Sequence, residues 1–387
     1  MHRRAAVGVG ALAAVALVGP IAACATLLGL DDVGYAPADG GIVDGMAESA
    51  ATDALPESAT DASDAGPVPT QLFLFGGLTQ PGDTTAAVVV GTLMPDGSIA
   101  SWTQGEALPE AVSFSVGGAS STAVFAAGGS AGSGAFLSAV FGAIVDGGPL
   151  GPWVMVSNLT SPIFRHSGVS TGGSFYVIGG GTYSGLTEDV QYALEGIDGR
   201  LGGFNPTTPL PAALDQHASA AGGGFVFVTG GVLQGDGGIS GDVLSAPQNA
   251  DGTLGAWSTE AGQATTPGAL ARFRHGAATY KGNLLVVGGL NDTGFLSDVQ
   301  VAPIAADGSV GPFSPTVSFP AAGRQDFGCI VVGDTLYVLG GDSGNDGGMP
   351  YDDDVWYAKL DGMGNITQWK QGPPLPTGLA YFGIAAH

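Results

Sequence analysis

Basic residues are scarce in this chain: ten Lys and Arg stand against 34 Asp and Glu in 387 residues. So acidic a surface repels nucleic acid and anionic lipid headgroups, and no nucleic-acid partner is expected. Cysteine is almost absent. Cys24 and Cys329 are the only two, so no disulfide framework can organise the fold. Long apolar runs are also missing after the first two dozen residues, so the 44% hydrophobic composition belongs to strands rather than to membrane-spanning helices. What the chain has in quantity is glycine, 69 residues of it, and the glycines are placed at regular intervals.

The N-terminus carries an export signal. Arg3 and Arg4 precede an uncharged Ala/Val/Leu/Gly stretch that reaches Ala23. These are the n-region and h-region of a secretory signal over residues 1–23. Gly19, Pro20 and the lack of a basic stop flank argue against a permanent span. Ile21-Ala22-Ala23-Cys24 resembles the lipobox of bacterial lipoproteins, which implies lipidation of Cys24, a membrane partner through that lipid, and a place in the cell envelope. Ala25 in place of an aspartate favours the outer membrane under the sorting rules of some bacteria. Without residues 1–23 the chain keeps eight basic residues against 34 acidic ones, a net charge of −26. With Cys24 acylated, Cys329 is expected to be a lone buried hydrophobe, set as it is in Cys329-Ile330-Val331-Val332. Residues 24–69 then form an acidic tether. Nine acidic residues and no basic one lie between Asp31 and Asp64, a composition that cannot offset chain entropy by burial. Its reach is on the order of 40 Å.

From residue 70 onward two markers share one period. Glycine doublets begin at Gly76, Gly128, Gly179, Gly230, Gly288 and Gly340, at steps of 52, 51, 51, 58 and 52. An Asp-Gly turn followed by an aromatic recurs with them, at Asp96-Gly97…Trp102, Asp146-Gly147…Trp153, Asp198-Gly199…Phe204, Asp251-Gly252…Trp257, Asp307-Gly308…Phe313 and Asp361-Gly362…Trp369. Such self-similarity marks a repeat architecture. Each unit divides into four short strands, as in 274–279, 284–287, 298–304 and the stretch at Phe313, with tight turns at Lys281-Gly282 and Asp307-Gly308. Leu284-Leu285-Val286-Val287 is apolar at every position, so both its faces are buried. Blades stacked face to face around an axis provide that burial. The chain opens at Gln71–Gly77 with a second strand and closes at Ala380–His387 with a first strand, so its two ends complete one blade. The expected fold is all-β: a six-bladed propeller over residues 70–387, four antiparallel strands per blade.

These residues resemble the kelch repeat. Arg165-His166…Tyr176-Val177-Ile178-Gly179-Gly180 and Trp257 fit its pattern, and Asp251-Gly252-Thr253-Leu254-Gly255-Ala256-Trp257 is similar to a form found in exported bacterial kelch-like proteins. The resemblance implies the kelch-type propeller fold. It is weak for function, because kelch-like propellers include a copper oxidase, a sialic-acid epimerase and many protein-binding modules. The oxidase branch would need a Tyr–Cys cross-link, and Cys329 is the only cysteine in the domain.

The candidate chemistry is sparse. His166, His217 and His275 each stand 13 residues before a doublet and so recur because the repeat prefers them; no metal or other cofactor is expected. Arg165, Arg272, Arg274 and Arg324 all fall at the start of a first strand, beside the channel mouth. They would form one positive spot suited to a carboxylate or acidic sugar, or else simply brace the blades. The long loop after Gly340 adds Asp342, Asn345 and Asp346 as binding candidates; it lacks EF-hand spacing for calcium. Gly128-Gly129-Ser130-Ala131-Gly132 imitates a nucleophile elbow without the helix that motif needs. The expected function is binding of a protein or carbohydrate ligand by a monomer. A periplasmic sugar-modifying enzyme, epimerase- or oxidase-like, is the rival reading; it would need carboxylates converging at the mouth, where the candidates Asp215 and Asp326 are scattered in sequence.

Overall fold

The computed structural model describes residues 24–27, 71–145, 149–235, 238–260, 270–344 and 351–387. The signal segment, residues 28–69 of the tether, Thr70, the Asp146-Gly147 turn and the loop residues Asn345 and Asp346 lie outside the described residues. Every regular element among the described residues is a strand.

Six sheets are the blades, each with four antiparallel strands; one of them carries Cys24–Leu27 as a fifth, parallel strand. From inner to outer strand, the first blade holds Val116–Ala119, Ala123–Ala127, Leu137–Ile144 and Val154–Ile163. The second to fifth begin with inner strands Ser167–Thr171, Ala218–Gly222, Gly276–Tyr280 and Gly328–Val332. The sixth draws on both ends of the domain: Gly383–Ala386 is its inner strand, followed by Gln71–Phe75, Val88–Leu93 and Ile99–Gln104. The inner strands touch in order, first to sixth and sixth back to first, so the ring is closed.

The core is divided among the blade junctions. Six apolar clusters are each formed by two adjacent blades, with Phe125 of the first blade against Phe175 of the second, and Leu339 of the fifth grouped with Ile384 of the sixth; a seventh, of Leu78, Phe114, Phe164, Ala380 and Tyr381, lies apart from them. No blade owns a complete core, as expected where each repeat is too small to bury its faces alone.

The glycine doublets are the hinges of this packing. The first glycine of each has φ between 55° and 65°, the second between 96° and 105°. The second glycine's N–H donates to a carbonyl just ahead of the next blade's inner strand in all six cases, at 2.7–2.9 Å: Gly77 to Val112, Gly129 to Ile163, Gly180 to Leu214, Gly231 to Arg272, Gly289 to Arg324 and Gly341 to Leu379. A Cβ on Gly180 would lie 2.8 Å from both Phe164 O and His166 Cβ. Gly180→Ala therefore combines a forbidden φ with a clash against backbone, and should cost about 3 kcal/mol. Urea unfolding checks this; a midpoint equal to the parent's would contradict it.

The Asp-Gly turns dock blade on blade. Tyr176 Oη donates to Gly252 O at 2.6 Å, and Tyr337 Oη to Gly97 O at 2.7 Å. Three of the marker tryptophans donate Nε1 to the adjoining linker: Trp102 to Pro373 O, Trp257 to Thr208 O and Trp369 to Val317 O.

The backbone of Cys24–Leu27 runs parallel to Gly328–Val332, with Cys24 opposite Cys329, and lies within reach of all six inner strands. It therefore occupies the channel. Cys329 is fully buried, as the apolar run implies, but it is disulfide-bonded rather than a lone thiol. The lone thiol is expected only with Cys24 acylated, a state that excludes this disulfide. The register allows the disulfide: Cys24, the chain's only other cysteine, is its Cα partner across the parallel pair.

Candidate functional site

One residue per blade, at the start of each inner strand, adopts the left-handed conformation: Phe114, Arg165, Gln216, Arg274, Asp326 and Tyr381, with φ from 54° to 69°. They close into a ring around the channel mouth. Backbone hydrogen bonds link neighbours, from Gln216 N to Arg165 O, Arg274 N to Gln216 O, Asp326 N to Arg274 O, Tyr381 N to Asp326 O and Phe114 N to Tyr381 O, at 2.9–3.2 Å. None of the six is Gly or Asn, the residues that conformation favours, so each holds strain of order 1 kcal/mol or more. The blade needs the conformation at this point. The side chains placed on it share no chemistry, unlike the repeated positions around them.

Arg165 and Arg274, expected at the mouth, are in this ring. Arg165 Nη1 bonds Asp215 Oδ2 at 3.0 Å, and its guanidinium lies over the Phe164 ring. Arg274 donates Nε to Gln216 Oε1 at 2.5 Å and Nη1 to Gln325 Oε1 at 2.9 Å, and stands 3.6 Å from Asp326 Oδ2. Gln325 passes the network on to Asp342 Oδ2 at 2.9 Å. So Asp342, the described member of the loop triplet, does join the mouth.

Arg272 and Arg324 take a different place. They are 1% exposed and each sits 16 residues before its doublet, two ahead of the ring position. Arg272 binds Asp298 through both Nη atoms and also the Gly288 carbonyl; Arg324 binds Asp354 and the Gly340 carbonyl in the same way. Burial penalises the Asp298 carboxyl, yet Arg272 outweighs it and holds the group below its usual range. These two arginines brace the strand ends of the fourth and fifth blades, the alternative weighed from the sequence.

The histidines are enclosed between blades. His166 Nε2 lies 3.1 Å from Ala127 O, and His275 Nε2 lies 2.8 Å from Thr229 Oγ1, each partner belonging to the preceding blade. Burial pushes His166 down to about 4 and His217 to about 3, and His275 well below the ordinary imidazole value. All three are therefore neutral packing groups at pH 7. Among the described residues no group of three or more His, Cys, Asp or Glu converges as a metal site.

Sequence reasoning passed over Phe114, Gln216 and Tyr381 and weighed Asp326 only as a scattered carboxylate. Asp326 is fully buried. Neither of its oxygens has a partner at hydrogen-bonding geometry, and burial raises it well above the usual carboxylate range despite Arg274 and the Tyr381 hydroxyl nearby. The signal available was positional: all five ring residues that precede a doublet in sequence stand 14 residues before it. An aromatic line extends from the ring. Tyr351 meets Tyr381, Tyr381 meets Phe114 at 5.3 Å and Phe114 meets Phe164 at 6.4 Å. Phe136 stacks on Phe164 at 3.9 Å, and Tyr183 on Phe136 at 4.4 Å.

Two surface hollows, about 220 and 330 Å³, lie elsewhere. Asp96, Lys359 and Lys370 line the first, Gln71, Gln104 and Glu106 the second, and neither gathers buried polar groups as the ring does. No known protein family's sequence pattern matches the chain, and no curated protein is found to resemble it.

Proposed function

We propose that this protein is an exported, lipid-anchored interaction module of kelch type, binding a protein or glycan at the face that carries the channel-mouth ring. One observation carries the reading: six strained positions, equivalent by the repeat, hold six side chains chosen without regard to the repeat. Strain retained at such a rim is a mark of function in other proteins, and propeller faces commonly serve as interaction surfaces. The full chain should capture a ligand from panels of glycans, small acids and envelope proteins. Arg165→Ala with Arg274→Ala should weaken capture at least tenfold, while Arg324→Ala should lower stability first. Capture that survives the double change would sink the ring as the site.

The anchor is tested separately. A lipid-bearing Cys24 is a thioether and cannot share a disulfide, so in the anchored form residues 24–27 leave the channel and Cys329 is a buried thiol. A mature N-terminal peptide carrying the diacylglyceryl mass on Cys24 supports the anchor. A peptide joining Cys24 to Cys329 in the exported protein overturns it.

The enzyme reading keeps one supporting observation, the raised Asp326 carboxyl beside Arg274 and Tyr381, an environment of the kind that tunes acid–base groups. Sugar turnover lost in Asp326→Asn, with binding retained, would favour it.

A further inference from the structure

The ring splits into a polar arc and an aromatic arc. Arg165, Gln216, Arg274 and Asp326 follow one another around it, and Tyr381 and Phe114 complete the circle. The charge is already matched. Arg165 faces Asp215, and Arg274 faces Asp326, with Asp342 a further carboxylate in the same network. Two guanidinium groups against three carboxylates leave no positive excess for an anionic ligand, so a carboxylate or acidic sugar, the class suggested by the arginines alone, is poorly served.

Hydrogen-bonding capacity is what the mouth has left. Both Asp326 oxygens are buried with the Arg274 guanidinium at 3.6 Å and the Tyr381 hydroxyl beside them, neither at full hydrogen-bonding geometry, and Arg165 Nε is buried without a partner. Buried polar atoms in this state are costly, and a ligand supplying their partners recovers that cost. Two acceptors and one donor stand on blades diametrically opposed across the ring, the fifth and the second. A ligand that meets both needs neutral hydroxyls, which donate and accept. The aromatic arc asks for an apolar face as well. From Tyr381 and Phe114, nearly buried, the contacts run through Phe164 and Phe136 to Tyr183, 69% exposed, so the line leads from the mouth out to solvent.

We propose that the ring takes a neutral saccharide: hydroxyls on Asp326 and Arg165, the C–H face on Phe114 and Tyr381, and the next sugar unit outward on the Tyr183–Phe136 stack. This rests on the reading that the ring face is a ligand site, and it names the ligand class.

The test uses the full chain on an array of neutral and acidic glycans, with and without added salt. Neutral glycans should bind in preference to sialylated or uronic ones, and added salt should leave the binding unchanged, since no net charge is exchanged. Asp326→Asn, which swaps one acceptor for a donor at constant shape, should weaken binding about tenfold. Tyr183→Ala, at an exposed site that cannot unfold a blade, should weaken an oligosaccharide while leaving a monosaccharide unaffected. Preference for acidic glycans, or salt-sensitive binding, overturns the proposal. Capture of a protein alone, abolished by Arg165→Ala with Arg274→Ala, overturns it while leaving the binding-face reading intact. Ligand capture indifferent to every ring substitution overturns both.

Discussion

Removal of residues 379–387 should abolish cooperative folding of the whole domain rather than shorten one blade. Gly383–Ala386 is the inner strand of the sixth blade, paired antiparallel with Leu72–Phe75. Without it the inner ring is broken between Val116–Ala119 and Gly328–Val332, the two strands it touches on either side. The deletion also removes the carbonyl of Leu379 that Gly341 N–H uses to join blades, and the ring hydrogen bonds at Tyr381. Leu379, Tyr381, Phe382 and Ile384 are all at least nine-tenths buried. At about 1.5–3 kcal/mol for each large apolar side chain, their loss is of the order of 6–12 kcal/mol. A domain's entire stability is about 5–15 kcal/mol, so the shortened chain should show no thermal transition and should elute as expanded or aggregated material. A melting transition equal to the full chain's would show that the ring does not depend on this strand. A substitution at Ile384 alone should fall between the two, since it leaves every backbone hydrogen bond of the closure in place.

The repeat made this fold legible, and it did so through glycine rather than through strand propensity. Each doublet brings two blades together at a φ only glycine accepts readily, so its spacing in sequence is the spacing of blade junctions in space. The ring was less legible. Left-handed residues are normally sought among Gly, Asn and Asp, and Phe114, Arg165, Gln216, Arg274 and Tyr381 are none of these. Arg272 and Arg274 look alike in sequence, two residues apart before one strand. Their chain geometry separates them, one turned into the fourth blade to brace Asp298 and the other placed on the rim. The aromatic line was not legible at all, because Phe136, Tyr183 and Tyr351 come from loops of three different blades whose contacts only the closed ring creates.

The three buried histidines should make the domain acid-labile well above the range in which carboxylates titrate. An imidazole whose folded value is depressed is bound to its proton more tightly in the unfolded chain. Its stabilising contribution is therefore complete above the unfolded value near 6.5 and is lost as pH falls toward the folded value. For His166 that window closes near 4, and for His217 near 3. By pH 5 each of these should already have lost about 2 kcal/mol. His275 acts in the same direction, its proton further opposed by Arg272 and His217. Asp326 acts oppositely. Its raised folded value means a penalty at neutral pH that is relieved on acidification. The histidines can be isolated from it because the repeat itself supplies their replacement. Phe327 and Phe382 take the same place in the fifth and sixth blades, against Gly341 and Gly77 as His166 lies against Gly180. A variant carrying His166→Phe, His217→Phe and His275→Phe should be somewhat less stable at pH 7, since the bonds to Ala127 O and Thr229 Oγ1 are lost. Between pH 7 and pH 5 it should lose far less stability than the parent, by about 2 kcal/mol for each of His166 and His217, with His275 adding in the same direction. Urea midpoints at the two pH values measure this directly. Parallel losses in parent and variant would place the acid sensitivity elsewhere, with Asp298, held low by Arg272, as the group then to be tested.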